Sequence, residues 1–410
     1  MEAFVTYMVA RTVLNGKCRF GGAKCDLTPE RTLPMAGFSW SGQRGQPGTD
    51  RLWARCFYLE DLETGDPVIW VFLDLMGASL ALHQAVAHEL TQSDSPGLAQ
   101  RFVLTGTHTH TAPGKFYGSS FYDHFASPGP LEGFDQVLTE GWARLIAQTI
   151  LTAKDEAEPA ELWLVENEVW GASYNRSIEA WRRNNLPLNG PAALPETQRA
   201  VNPRLTALVS LHADAKQHRA TASFFACHGT SLGREYEYYD RDWFGVAVDQ
   251  VEDSHQGMVA IGGGTSGDVS PAIFVNGKFE PPGPALRDEV GARVGQKLAE
   301  SIKHALEQSQ STPGALQVLP LTLHSGLFEV TERDQWPRFQ LGVPMLKGSE
   351  DGGPNYGPFK FLAKMVGEGY TEDGGPQAPK APALGGLQGT LLALLRLDLA
   401  RDHPLHRIGL

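Results

Sequence analysis

Apolar and polar positions separate strands from helices along the first three-quarters of the chain. Ala54–Glu60 (ARCFYLE) and Pro67–Asp74 (PVIWVFLD) are dense in aromatic and branched residues. The turn-forming DLETGD lies between them, so the two runs are expected to pair as a hairpin. Ser79–Leu90 is expected to be helical, and Arg101–Gly106 (RFVLTG) to be a short strand feeding a histidine-rich loop. Leu138, Trp142, Leu145, Ile146 and Ile150 recur at helical spacing, which predicts a helix covering a sheet. Strands are expected at Leu205–Leu211, Thr221–Cys227 and Met258–Ile261, the last ending in Gly262-Gly263-Gly264. Val290, Val294, Leu298, Ile302 and Leu306 repeat every fourth position and mark a long amphipathic helix. Beyond about Ser311 the pattern loosens, and 342–382 is rich in Gly and Pro, which predicts long loops. The expected class is α/β: a mixed β-sheet core flanked by helices, with long Gly/Pro-rich loops in the C-terminal third and one large domain over 1–410.

Composition narrows the partners. The chain has 410 residues, 41% of them hydrophobic and 20% charged, enough to bury a substantial core. A formal charge of −12 opposes binding to nucleic-acid phosphates, so no nucleic-acid partner is expected. A spanning helix needs about 18 consecutive apolar residues, and no such run occurs. The N-terminal MEAFVTYMVARTVLNGK makes a poor signal peptide, with Glu2 where positive charge belongs and Arg11 interrupting the apolar stretch. Cys18, Cys25, Cys56 and Cys227 form no CxxC pair, so free core thiols are expected rather than a cysteine zinc site.

Three segments carry candidate chemistry. Gly106–Gly114 (GTHTHTAPG) follows a strand and presents His108 and His110. Alternate residues of an extended chain point to opposite sides, so both imidazoles can face one point only if the backbone bends there. The loop could hold a metal with one ring and contact substrate with the other, or simply be a polar loop. Ser223–Gly233 (SFFACHGTSLG) ends a strand at His228. That histidine could complete a metal cluster or bond only backbone. Alternatively, Gly229–Gly233 could be a GxSxG elbow with Ser231 as nucleophile, which requires a helix directly after the turn. Gly262–Pro271 (GGGTSGDVSP) lacks the spacing of a phosphate or dinucleotide loop, but Asp268 and Ser270 could donate or accept hydrogen bonds in a site. Asp74 could orient a histidine or cap a helix, Arg176 in YNRS could polarise a carbonyl, and Glu350-Asp351-Gly352-Gly353 could hold a cation.

In order along the chain, GGAKCDLTP with MAGF, RLWARCFYLE, VFLDLMGAS, VLTGTHTHTAPG, YNRS, FFACHGTSLG, GTSGDVSP and VPMLKGSEDGGP resemble segments of the neutral/alkaline, non-lysosomal ceramidases. The resemblance runs from about Gly21 to the C-terminus. It implies a zinc-dependent amidohydrolase that cleaves ceramide, or a related N-acylated lipid, to a fatty acid and a sphingosine-like amine. It further implies one Zn2+ per site with His108 and His228 as ligands, and His110, Arg176 and Ser270 as the residues that handle substrate and protons. The family's glutamate ligand lies just beyond a strand resembling PLHRIGL, and its tyrosine ligand and immunoglobulin-like domain lie later. These are therefore expected beyond residue 410, and the domain is expected to be incomplete at its C-terminal end. The implied partner is an N-acylated lipid such as ceramide, with possible peripheral contact with a membrane surface and no obligate protein partner. The family suggests a secreted or membrane-associated setting, which the N-terminus does not signal. Two alternatives stand beside this: a metal-independent serine hydrolase using Ser231, and a catalytically incomplete lipid-binding protein.

Overall fold

The computed structural model describes residues 9–39, 42–124, 127–129 and 131–310, together with 327–329 and 407–409. The Gly/Pro-rich stretch 342–382 and the Glu350-Asp351-Gly352-Gly353 loop lie outside the described residues.

In chain order the first half comprises β1 (Val9–Asp26), β2 (Leu33–Pro34), β3 (Arg44–Gly45), β4 (Trp53–Asp61), β5 (Pro67–Leu73), α1 (Leu80–Thr91), β6 (Phe102–Gly106), α2 (Ser120–His124), α3 (Gln136–Asp155) and β7 (Glu158–Glu168). Next come β8 (Ser173–Asn175), α4 (Ile178–Arg183), α5 (Glu196–Arg199), β9 (Arg204–His212), β10 (His218–Phe225), α6 (Trp243–His255) and β11 (Met258–Gly263). The order closes with β12 (Val269–Pro271), β13 (Phe274–Val275), β14 (Lys278–Phe279), α7 (Pro284–Gln310), β15 (Leu327–Glu329) and β16 (Arg407–Gly409).

Eight strands form one sheet in the order β11-β10-β9-β7-β1-β4-β5-β6. The inner pairs are antiparallel, whereas each edge strand runs parallel to its neighbour, β6 to β5 and β11 to β10. Parallel pairing demands a crossover, and α1 and α6 supply the two. This is the expected mixed sheet, and β4 and β5 form the expected hairpin. Ser79 caps α1 by accepting the Leu82 N–H, and Asp135 caps α3 by accepting the Leu138 N–H.

Strands with near-continuous apolar runs are buried on both faces. Along β4, Ala54, Cys56 and Tyr58 join the core under α1 and α3, while Phe57 and Leu59 point the other way. That second face forms an aromatic interior: Phe57 meets Phe72 with ring centroids 5.4 Å apart, and Phe72 meets Phe224 of β10 at the same distance. A separate core under α6 and α7 covers the other half of the sheet. Strands β5 and β10, five places apart in the sheet, can share an interior only because the sheet curls toward closure. The curl brings the ends of the two edge strands together. A Cβ on Gly263, closing β11, would sit 3.2 Å from the carbonyl oxygen of Thr107, which follows β6. Both ends release loops into the same space, and the candidate residues lie there.

The four cysteines are free thiols, three of them buried, as expected. No helix among the described residues is long and apolar enough to cross a membrane.

Candidate metal centre

Three loops build the site, from the ends of β6, β10 and β11. After β6 the chain turns at His108, whose φ of +77° lies in the left-handed region that non-glycine residues rarely occupy. This is the bend that lets His108 and His110 face one point despite their alternate spacing. The loop is then fastened to the one after β10. Thr109 and Gly229 form a parallel bridge, and the His110 N–H donates to the Gly229 carbonyl at 2.9 Å. The hydroxyls of Thr109 and Thr111 both donate to the Asp240 carbonyl, at 2.9 and 2.8 Å. The Trp243 indole N–H donates to the His228 carbonyl at 2.9 Å, and the His228 N–H donates to Val269 of β12 at 3.0 Å.

These bonds converge three imidazoles. Ring centroids are 4.6 Å apart for His108 and His228, 5.0 Å for His108 and His110, and 5.6 Å for His110 and His228. One nitrogen from each lies within 4.8 Å of the other two. His108 Nδ1 lies 2.6 Å from the Met76 carbonyl, and His228 Nδ1 lies 2.6 Å from that of Ser266 and 3.1 Å from that of Val269. A carbonyl only accepts, so Nδ1 carries the proton in both rings and the lone pair sits on Nε2. Metal-ligating histidines are held in this way, with the far N–H given to a backbone carbonyl or carboxylate. His110 differs: it is buried, and neither ring nitrogen has a hydrogen-bond partner among the described residues.

Arg176 reaches the same point. Its Nη2 lies 3.1 Å from His228 Nε2 and donates to the Gly267 carbonyl at 2.8 Å. Strand β8, which leads into Arg176, pairs with β12 so that Tyr174 faces Ser270. The YNRS and GDVSP segments are thus neighbours, with Asn175 bonded to the Asp268 carboxylate at 2.9 Å. Ser270 is buried beside Val269, the residue that anchors His228. A cleft of about 420 Å³ opens over His108 and His228, walled by Gly106 and the glycine-rich 263–267 turn.

Electrostatics keep the imidazoles neutral. Burial, the Arg176 charge and His108 lower the His228 pKa to about 4. Burial is also the main cause of the lowered value at His108 and the much lower one at His110. Neutral imidazole is the form that binds metal. A depressed folded-state pKa means that the unfolded chain binds the proton more tightly, so the contribution to stability is full above about pH 6.5 and lost as pH falls toward 4. For His228 alone the shift corresponds to roughly 3 kcal/mol. The metal-free protein is expected to have a lower urea midpoint at pH 4.5 than at pH 7, and His228→Gln should flatten that dependence. An unchanged slope in the variant would contradict the assignment.

Two sequence expectations are corrected. Ser231 does not sit on a nucleophile elbow. Its loop runs on to Asp242 before α6 begins at Trp243, and the Ser231 and Leu232 N–H groups donate to the Asp242 carboxylate. The strand–turn–helix geometry is absent because the loop is tied to the start of α6 instead. Asp74 neither orients a histidine nor caps α1. It is buried against Arg55 at 2.7 Å and accepts the Trp53 N–H at 2.9 Å. Sequence patterns gave no hint of the pairing of Thr109 and Thr111 with Asp240, nor of Phe38, whose ring meets His110 edge-on at 5.0 Å.

Residues 19–278 match the family model described as neutral/alkaline non-lysosomal ceramidase, N-terminal, which covers more than half of the chain. The chain belongs to this ceramidase family. The neutral ceramidase of Pseudomonas aeruginosa is 26% identical over 386 residues, covering 90% of this chain and 53% of that protein. The neutral ceramidase of Mycobacterium tuberculosis is 27% identical over 282 residues, covering 65% of this chain and 42% of that protein. The chain therefore spans about half the length of the curated ceramidases it matches. A solved ceramidase complexed with C2 superposes with a TM-score of 0.65 at 22% identity, over 86% of this chain and 55% of that one, and shares the fold. The family is the one the THTH, ACHGTS and GDVSP segments resemble, and the mixed-sheet fold is the one expected from the pattern of strands and helices.

Proposed function

We propose that residues 1–410 carry the metal-binding heart of an amidohydrolase that cleaves the N-acyl amide of ceramide or a related lipid to a fatty acid and an amine. The observation that carries it is the convergence of His108 and His228 in the lining of one cleft, each with Nδ1 held by backbone carbonyls and one ring nitrogen within 4.8 Å of the other's. Family membership supplies the reaction class, and the names of the relatives supply the substrate class.

His108 and His228 would hold zinc, leaving two tetrahedral positions for other donors. When bound, the ion would supply a Lewis acid for the amide carbonyl and make water more acidic. Arg176 shares the His228 lone pair in the metal-free protein, so metal binding would free its guanidinium to hold the acyl oxygen. His110 is assigned the proton transfers rather than ligation, because among the described residues its nitrogens lack the orienting partner that a ligand has. Neutral and buried, it can take a proton from water as oxygen bonds to the acyl carbon, then deliver it to nitrogen as the C–N bond breaks. Ser270 is assigned a hydrogen bond that steadies the substrate. The apolar chain of the lipid would add affinity at about 0.8 kcal/mol per buried CH₂.

The test is hydrolysis of a panel of N-acyl amides, ceramide among them, with chelator and with zinc restored. Amine release that chelation abolishes and zinc restores supports the proposal. Chelator-insensitive release that Ser231→Ala abolishes would return the serine mechanism, and lipid binding without any cleavage would leave a binding protein.

A further inference from the structure

The segment Leu33–Phe38 lies outside the eight-stranded sheet and runs beside the histidine loop. Its backbone is stitched to that loop. The Ala36 N–H donates to the Ala112 carbonyl at 3.1 Å, the Gly114 N–H donates to the Pro34 carbonyl at 2.8 Å, and Met35 bridges Pro113. Tyr239 secures the start of the segment. Its hydroxyl accepts the Leu33 N–H at 2.8 Å and donates to the Arg31 carbonyl at 2.8 Å. The path of 33–38 is thus fixed by two other loops before it reaches the site.

At its end it presses on His110. Gly37 has φ +113°, a conformation that side chains disfavour, and a Cβ built there would lie 2.3 Å from His110 Nδ1 and 2.5 Å from Cγ. Phe38 meets the same imidazole edge-on, with centroids 5.0 Å apart and planes at 66°. The His108 ring lies 5.0 Å away. Among the described residues His110 has no hydrogen-bond partner at either nitrogen, and packing contacts hold its ring.

We propose that Gly37 and Phe38 are positioning residues that hold the His110 imidazole by packing, an assignment that rests on the proton-transfer role given to His110 above. The chemistry explains why packing is used. A bond from Nδ1 to a carbonyl, as in His108, dedicates one nitrogen and fixes one tautomer. Contact through backbone and an aromatic edge holds the His110 ring without engaging either of its nitrogens. Glycine is required because the backbone closes on the ring more tightly than a methyl group allows.

The test is a double-mutant cycle of Gly37→Ala and His110→Ala, read by turnover of an N-acyl amide and by thermal unfolding of the metal-free protein. Gly37→Ala should lower kcat about 100-fold while KM stays within about twofold, the cost of displacing a reacting group by about an ångström. In the His110→Ala background it should change turnover by less than about twofold. The fall in Tm caused by Gly37→Ala should also shrink in that background, because the added methyl then enters the space the imidazole left. The backbone strain at position 37 is common to both backgrounds and cancels. Additive losses in both readouts would overturn the proposal. If Gly37→Ala does not fold, Phe38→Leu takes its place: its loss of kcat should require His110, and equal losses with and without His110 would overturn it. Should the parent chain cleave no N-acyl amide, the hydrolase reading falls, and the unfolding cycle still decides whether Gly37 acts on His110.

Discussion

His228→Ala is expected to abolish metal retention and turnover together while leaving the fold standing. The imidazole is one of the two proposed histidine ligands among the described residues, and removing it leaves His108 as the one histidine ligand there, which is too little to hold an ion tightly. The loss in kcat/KM should be about 1,000-fold or more, the scale of removing a metal that activates both water and carbonyl. His108→Ala should behave in the same way. His110→Ala should not: it should keep the metal and lose roughly 100- to 10,000-fold in turnover, as expected for a group that only moves protons. Equilibrium dialysis against zinc with parallel assays separates the two patterns. If His110→Ala loses the metal and His228→Ala keeps it, the ligand assignment made from the Nδ1 partners is wrong.

Much of this arrangement is legible in the sequence, for physical reasons. Strands buried on both faces are apolar almost throughout, so β4 and β5 stand out as near-continuous runs. The every-fourth-residue spacing of Val290 to Leu306 gives α7, because a helix packed on a sheet needs one apolar stripe. Candidate ligands at the ends of β6 and β10 were visible because loops leaving a sheet edge are where polar side chains can cluster without burying an unpaired backbone. The curl of the sheet was not visible. It is a property of eight strands together, and no local pattern encodes that β6 and β11, at opposite edges, end side by side. For the same reason the contact of His110 with Phe38, 72 positions earlier, had no local signal. The bend at His108 was foreseeable only as a condition: the two histidines required it, but a threonine–histidine–threonine run does not announce a positive φ. The elbow suggested by Gly229–Gly233 failed because a five-residue motif says nothing about what its loop bonds to, and Asp242 claims that loop.

Gly229→Ala is expected to destabilise the protein strongly. An added Cβ would lie 2.6 Å from both the His108 carbonyl oxygen and the Thr109 Cα. Both are backbone atoms, and neither can swing aside as a side-chain tip can. The loops would have to separate, breaking the Thr109–Gly229 bridge and the 2.9 Å bond from the His110 N–H to the Gly229 carbonyl. Overpacking of a well-filled interior typically costs about 1–3 kcal/mol, and the lost backbone bond adds about 1 kcal/mol, so a loss of roughly 2–4 kcal/mol is expected. Gly141→Ala is the matched control. Gly141 lies within α3 with nothing within 4 Å of its added Cβ, and should gain about 0.5–1 kcal/mol from helix propensity. Urea titrations of both variants give the comparison. The functional consequence follows from the same contact, because separating the loops pulls His108 away from His228. A Gly229→Ala protein that still folds should therefore lose zinc even though every proposed ligand is present. Retention of metal by that variant would mean that the two loops tolerate separation, and that the close approach of backbone at Gly229 is not what sets the distance between the imidazoles.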